Sequence, residues 1–96
     1  KLMDSSAISH PGLVAQMRSL AKRRKIKHQL EILPRGGTDA GGMQRVRDGV
    51  PVITLSLPAR YIHTSVELVA KGDVQAATRL LSAFIEDGHR ADLSAV

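Results

Sequence analysis

The run Val50-Pro51-Val52-Ile53-Thr54-Leu55-Ser56-Leu57, closed by Pro58 and followed by Ala59-Arg60-Tyr61-Ile62-His63, decides how the chain is read. Its dense apolar and β-branched content is that of a buried strand, and a proline ends such a ladder because it has no N–H to give. A histidine just past the end of a buried strand stands where open α/β sheets place ligands and chemistry. Imidazole is also a common zinc ligand. A single histidine serves surface or structural duty equally well, so position alone assigns it no role.

Outward from that run the chain alternates. Towards the C-terminus, Gly72-Asp73 opens a helix to about Asp87. Val74, Ala77, Leu81, Phe84 and Ile85 form its expected buried stripe, with Leu80 beside it. Gly88 stops this helix, and residues 89–96 carry no pattern and are expected to form a loose tail. Towards the N-terminus, Gly49 closes a short helix expected over Asp39 to Asp48, with Thr38 as its N-cap. Gly41 and Gly42 weaken that helix in isolation, and they also permit close approach of backbone or ligand. Before it, Arg35-Gly36-Gly37 is a loop and Pro34 ends a second strand, Ile26 to Leu33. In that strand Ile26, His28, Leu30 and Ile32 alternate against Lys27, Gln29, Glu31 and Leu33, and His28 is expected to pack or cap locally.

A first helix runs from Pro11, suited to the first helical position, to about Lys25. Leu13, Met17, Leu20 and Ala21 share its apolar face, with Val14 alongside. Ser5 to Ser9 are a polar loop. Lys1-Leu2-Met3 reads as the end of a strand entered midway and closed at Asp4, so the chain is expected to be a piece of a longer protein. The order strand, helix, strand, helix, strand, helix predicts an α/β fold with helices packed on a central sheet.

Composition narrows the function classes. The 96 residues include one Tyr, one Phe and no Trp, so any core is built from Leu, Val, Ile, Ala and Met. The absence of cysteine removes disulfides and thiolate metal sites, leaving His and carboxylates as the metal ligands available. It is compatible with a reducing cytoplasm, where the protein is expected to act. No run approaches the ~18 apolar residues of a membrane span. The net charge of +5 comes largely from Lys22-Arg23-Arg24-Lys25 with Lys27. A helix C-terminus favours cations there through its dipole, and no aromatic residue lies nearby to stack on bases. A small basic α/β module contacting nucleic acid or an acidic partner is the rival hypothesis.

Pro58-Ala59-Arg60-Tyr61-Ile62-His63-Thr64-Ser65-Val66-Glu67, preceded by Gly36-Gly37-Thr38-Asp39-Ala40, resembles the C-terminal part of the glutamyl-aminopeptidase and tetrahedral-aminopeptidase family. Some members carry the label endoglucanase or cellulase. The resemblance extends from Leu2 to about Gly88. It implies that residues 1–88 are the C-terminal portion of a zinc-peptidase-like catalytic domain with three α/β/α layers. It also implies two divalent metal ions, zinc or cobalt, and a peptide substrate, with no nucleic acid and no membrane involved. His63 and Asp4 would each hold a different one of the two ions.

The same resemblance makes Thr38 and Asp39 walls of the pocket for the substrate's first side chain. Arg60 would face a substrate carboxylate or, with Tyr61, pin the loop that carries His63. Glu67 is four residues beyond His63, but the general base in the family belongs to an upstream Glu-Glu pair. The upstream His-x-Asp motif and the bridging Asp have no counterpart here either. The chain alone is therefore expected to be inactive, and its parent to assemble from dimers into a dodecamer.

Overall fold

A computed structural model describes residues 1–94. The chain is α/β, and its longest elements are the two helices that the apolar spacing predicts. α1 spans Pro11–Arg23, with Pro11 in its first turn and Leu13, Met17, Leu20 and Ala21 buried. His10 is the N-cap, its Nδ1 accepting from the Gly12 N–H at 3.0 Å. Beyond Arg24 the helix ends in a Schellman arrangement: Ile26 N–H donates to Ala21 O at 2.8 Å and Lys25 N–H to Lys22 O at 3.3 Å. Lys25 holds the left-handed position with φ 54°. That ending swings Ile26 into the core instead of starting a strand with it.

A second long helix, Lys71–Asp87, packs on α1. Its buried face differs from the expected stripe. Leu80 and Ala83 are buried, with Ala76 and Phe84 partly so, while Val74, Leu81 and Ile85 are exposed. The helix is apolar on two faces, and α1 covers the one formed by positions 76, 80, 83 and 84. Met17, Leu20, Ala21, Ile26, Leu80 and Ala83 make one core cluster, with Ile53 against it; Ala7, Ala40 and Val52 make a smaller one.

Strands are short. β1 (Met3–Asp4) pairs in parallel with β2 (Ile32–Leu33), with Met3 opposite Ile32 and Asp4 opposite Leu33. The strand expected over Ile26 to Leu33 is thus reduced to its last two residues. Leu30 and Ile32 are exposed, and the His28 ring lies 3.1 Å from Ile26 O. The buried strand expected over Val50 to Leu57 also needs correction. Among the described residues the segment is bonded at Val50 N–H, which donates to Gln44 O, at Val52 O, from His10 N–H, and at Thr54 O, from the Lys1 amino group. Val52 is buried, whereas Val50, Leu55 and Leu57 are exposed. With three isolated bonds and no ladder among the described residues, it forms an extended arm and no regular strand.

α2 covers Asp39–Gln44, shorter than expected, and Arg47 turns the chain at φ 52°. Past the arm, β3 (Ala59–Arg60) and β4 (Leu68–Val69) form an antiparallel hairpin, Ala59 opposite Val69 and Arg60 opposite Leu68. The helix over Lys71–Asp87 follows as α3. A 3₁₀ turn at Gly88–Arg90 continues from it and packs on α1, and Gln16 Nε2 donates to Asp87 O at 2.9 Å. The chain as far as Ser94 is described; the last two residues of the expected tail lie outside the described residues.

Candidate active site

The β3–β4 hairpin exists to turn the chain sharply around His63. Tyr61 and His63 both adopt the left-handed conformation, at φ 59° and 64°. Bulky side chains rarely do so, and such backbone persists only where local bonds fix it. Here Tyr61 O accepts from Thr64 Oγ1 at 2.6 Å and from Thr64 N–H at 3.2 Å. The His63 N–H donates to Glu67 Oε1 at 2.7 Å. Glu67 therefore grips the backbone of the histidine that its position made conspicuous. The His63 side chain is exposed and its imidazole bonds to no described residue, so a ring nitrogen is available to a ligand. Arg60 lies on β3, exposed, two residues before Ile62.

Asp4 lies in a different environment. Its side chain has no accessible surface. Oδ1 accepts from Ser6 N–H at 2.8 Å, Ser6 Oγ at 2.8 Å and Ala7 N–H at 2.9 Å. Oδ2 accepts from Thr38 Oγ1 at 2.8 Å and lies 3.4 Å from Lys1 Nζ. The Ser6 backbone N–H, with the hydroxyls of Ser6 and Thr38, holds this carboxyl well below the usual carboxylate range. This is an Asx turn extended by a long-range bond. A carboxylate so enclosed does not fit a metal ion, which needs an oxygen lone pair turned outward, so the metal-ligand expectation for Asp4 conflicts with its surroundings. His63 fits such an ion. Among the described residues, no three His, Asp or Glu side chains come together as a metal cluster.

Thr38 is not the side-chain cap expected for α2. Its backbone is extended and its hydroxyl is spent on Asp4. Asp39 opens α2, exposed, where its charge complements the helix dipole. The loop before it is tied to the Asp4 turn by more bonds: Ser5 N–H and Oγ both donate to Gly36 O, and Thr38 N–H to Ser6 Oγ. Gly41 allows a close contact across this junction, since a Cβ there would lie 2.6 Å from Ser6 Cβ. At Gly41 the close approach is thus made by the chain's own Ser6, whereas Gly42 meets nothing within 4 Å. Ser6 went unnoticed in the sequence; the Asp-x-Ser spacing at Asp4 and Ser6 was the available signal.

Of the basic cluster, Lys22 and Arg23 lie in the last turn of α1 and Arg24 is its C-cap. Arg24 Nη2 lies 3.2 Å from Glu86 Oε2, and Arg79 Nη2 donates to Arg24 O at 3.0 Å. No helix among the described residues is long and apolar enough to cross a membrane.

A family profile described as M42 glutamyl aminopeptidase matches residues 1–80. The chain is 39% identical over 87 residues to a lysyl aminopeptidase of Pyrococcus furiosus, covering 90% of this chain and 25% of that protein. It is 33% identical over 85 residues to a glutamyl aminopeptidase of Lactococcus lactis, covering 88% and 24%. In structure it resembles the aminopeptidase APDkam598 from the archaeon Desulfurococcus kamchatkensis, with a TM-score of 0.85 and 36% identity over 90% of this chain and 25% of that one. The chain therefore spans about a quarter of the length of the relatives it matches.

Proposed function

The chain belongs to the M42 glutamyl aminopeptidase family, and from that premise we propose that it is the C-terminal part of a two-metal aminopeptidase that removes N-terminal residues from peptides. The observation that carries this reading is the family match over residues 1–80. Within the matched span the His63 imidazole bonds to no described residue and stands on a strained hairpin. When bound, two divalent ions, zinc or cobalt, would polarise the scissile carbonyl and lower the pKa of water.

In this proposal His63 holds one of the ions through its free ring nitrogen. Glu67 fixes the backbone of that ligand, and the Tyr61–Thr64 turn sets its direction, as outer partners of metal ligands do. Thr38 and Asp39 line the pocket for the substrate's first side chain, and Arg60 supports the hairpin from β3. The general base and the remaining ligands come from sequence outside this chain. The parent protein is cytoplasmic and oligomeric, built from dimers, and acts on peptides without contacting nucleic acid or membrane.

The test is made in the full-length enzyme with His63→Ala and with His63→Gly, which suits the left-handed backbone. Both variants should lose one metal equivalent by mass spectrometry and slow hydrolysis of aminoacyl-nitroanilides by orders of magnitude. Full occupancy with a near-normal rate in both would overturn the assignment.

A further inference from the structure

We infer that Asp4 is a positioning residue, the anchor that fixes the Gly36–Asp39 loop in place, and not a ligand to a metal ion. Three observations carry this. The first is saturation. An ionised carboxylate offers about four lone-pair sites, and four hydrogen-bond donors together with the Lys1 ammonium already occupy the surroundings of Asp4. The second is charge: Lys1 Nζ at 3.4 Å already neutralises the oxygen that a second cation would need. The third is connectivity. The bond from Thr38 Oγ1 joins segments 34 residues apart. Ser5 and Ser6 add three further bonds to Gly36 and Thr38 across the same junction.

The junction works as a clamp. Oδ1 folds the Ser5–Ala7 turn around the carboxylate, which presents Ser6 Oγ to the Thr38 N–H. Oδ2 takes the Thr38 hydroxyl, which is thereby turned away from the α2 terminus it would otherwise cap. Asp39, the next residue, is delivered to the surface at the start of α2. The consequence for catalysis rests on the aminopeptidase reading, in which this loop is a pocket wall. The clamp itself does not rest on it.

The experiment compares Asp4→Asn, Thr38→Val and Thr38→Ser in the full-length enzyme by three readouts. Metal content should equal that of wild type in all three. Amide hydrogen exchange over residues 36–41 should rise about tenfold or more in Asp4→Asn and Thr38→Val, as expected for losing a charge-assisted bond. Thr38→Ser, which keeps the hydroxyl, should exchange like wild type. KM for aminoacyl-nitroanilides should rise in the first two variants with kcat little changed. In exchange over residues 36–41 the double variant Asp4→Asn/Thr38→Val should be no worse than the more affected single one, because the two share the Asp4–Thr38 bond. Loss of a metal equivalent from Asp4→Asn, with Thr38→Val fully loaded, would restore the ligand role and overturn the inference. Unchanged exchange in Thr38→Val would overturn the clamp, even if Asp4→Asn failed to fold. Raised exchange with full metal and an unaltered KM would instead remove the loop from the pocket, a failure of the peptidase reading and not of the clamp.

Discussion

Two adjacent glycines in α2 should respond to the same substitution with opposite sign. Gly41 is buried against the Asp4 turn, and an alanine Cβ there would lie 2.5 Å from Ser6 Oγ, 2.6 Å from Ser6 Cβ and 3.0 Å from Ser6 O. Rotation of Ser6 could remove the hydroxyl, but its Cβ and carbonyl belong to the turn and cannot move without it. Gly42 meets nothing within 4 Å. In a helix, alanine is favoured over glycine by about 0.5–1 kcal/mol through lost chain entropy. Gly42→Ala should realise that gain. Gly41→Ala sets the same gain against an overpacking cost of about 1–3 kcal/mol, a net loss of about 1–2 kcal/mol. Since about 1.4 kcal/mol is tenfold in an equilibrium constant, α2 amides in Gly41→Ala should exchange about five- to thirtyfold faster than in wild type. In Gly42→Ala they should exchange about two- to fivefold slower. Exchange in Gly41→Ala as slow as in Gly42→Ala would refute the claim that the Ser6 backbone fills the space beside Gly41.

Lys25 sits at φ 54° in the Schellman ending of α1, so Lys25→Gly should stabilise by about 0.5–1 kcal/mol, read from the urea midpoint at unchanged m-value. A loss of stability would show that the lysine's charge at the helix end outweighs its backbone strain. The folded-state pKa of Asp4 is depressed, so its stabilising contribution is complete above its unfolded value of about 4. It is lost as pH falls from there through the folded value. The stability gap between wild type and Asp4→Asn should therefore hold steady from neutral pH to about 5 and shrink on further acidification. A gap as wide at pH ~3 as at pH ~7 would exclude Asp4 from the acid response.

The helices were legible because periodicity is local. Leu13, Met17, Leu20 and Ala21 recur on one face of α1, and Pro11 marks its start. The orientation of α3 was not, since Val74, Leu81 and Ile85 make as good an apolar stripe as Ala76, Leu80 and Ala83, and only the position of α1 chooses between them. Strand length was misjudged for a related reason. An apolar run states that a segment can pair, but the ladder depends on neighbours, and Val50 to Leu57 meets only scattered bonds, to Gln44, His10 and Lys1, among the described residues. His63 was visible as a motif, while its tie to Glu67 needed only the four-residue spacing to be taken as a backbone contact. Asp4 was visible as a residue but not as a role. What distinguishes a ligand from an anchor there is Thr38, whose approach depends on the fold of the chain between two residues 34 positions apart.

The last expectation concerns residues 1–96 prepared by themselves, and it follows from surface area. The chain exposes 7229 Å², whereas a folded monomer of 10.4 kDa should expose about 5400 Å². Its radius of gyration is 13.9 Å and its thinnest dimension 18 Å, against about 12.5 Å for a compact domain of this length. The excess, about 1800 Å², is about twice the ~800 Å² that one partner contributes to a standard protein–protein interface. Much of it is apolar, with Val66 at 72% and Ile85 at 75% exposure and Ile62 and Leu68 both at 57%. Large exposed apolar side chains, where they lie together, bind something or associate with one another. Metal would not compensate, because no three ligating side chains converge among the described residues and one protein ligand gives no chelate advantage over water. The isolated chain should therefore sediment as aggregates or oligomers, bind an apolar dye, hold zinc weakly and hydrolyse no aminoacyl-nitroanilide. Adding the upstream part of the enzyme should suppress dye binding and restore hydrolysis wherever the two pieces reassemble. A monodisperse monomer that unfolds cooperatively and cleaves peptides in a metal-dependent way would contradict both the area argument and the ligand count.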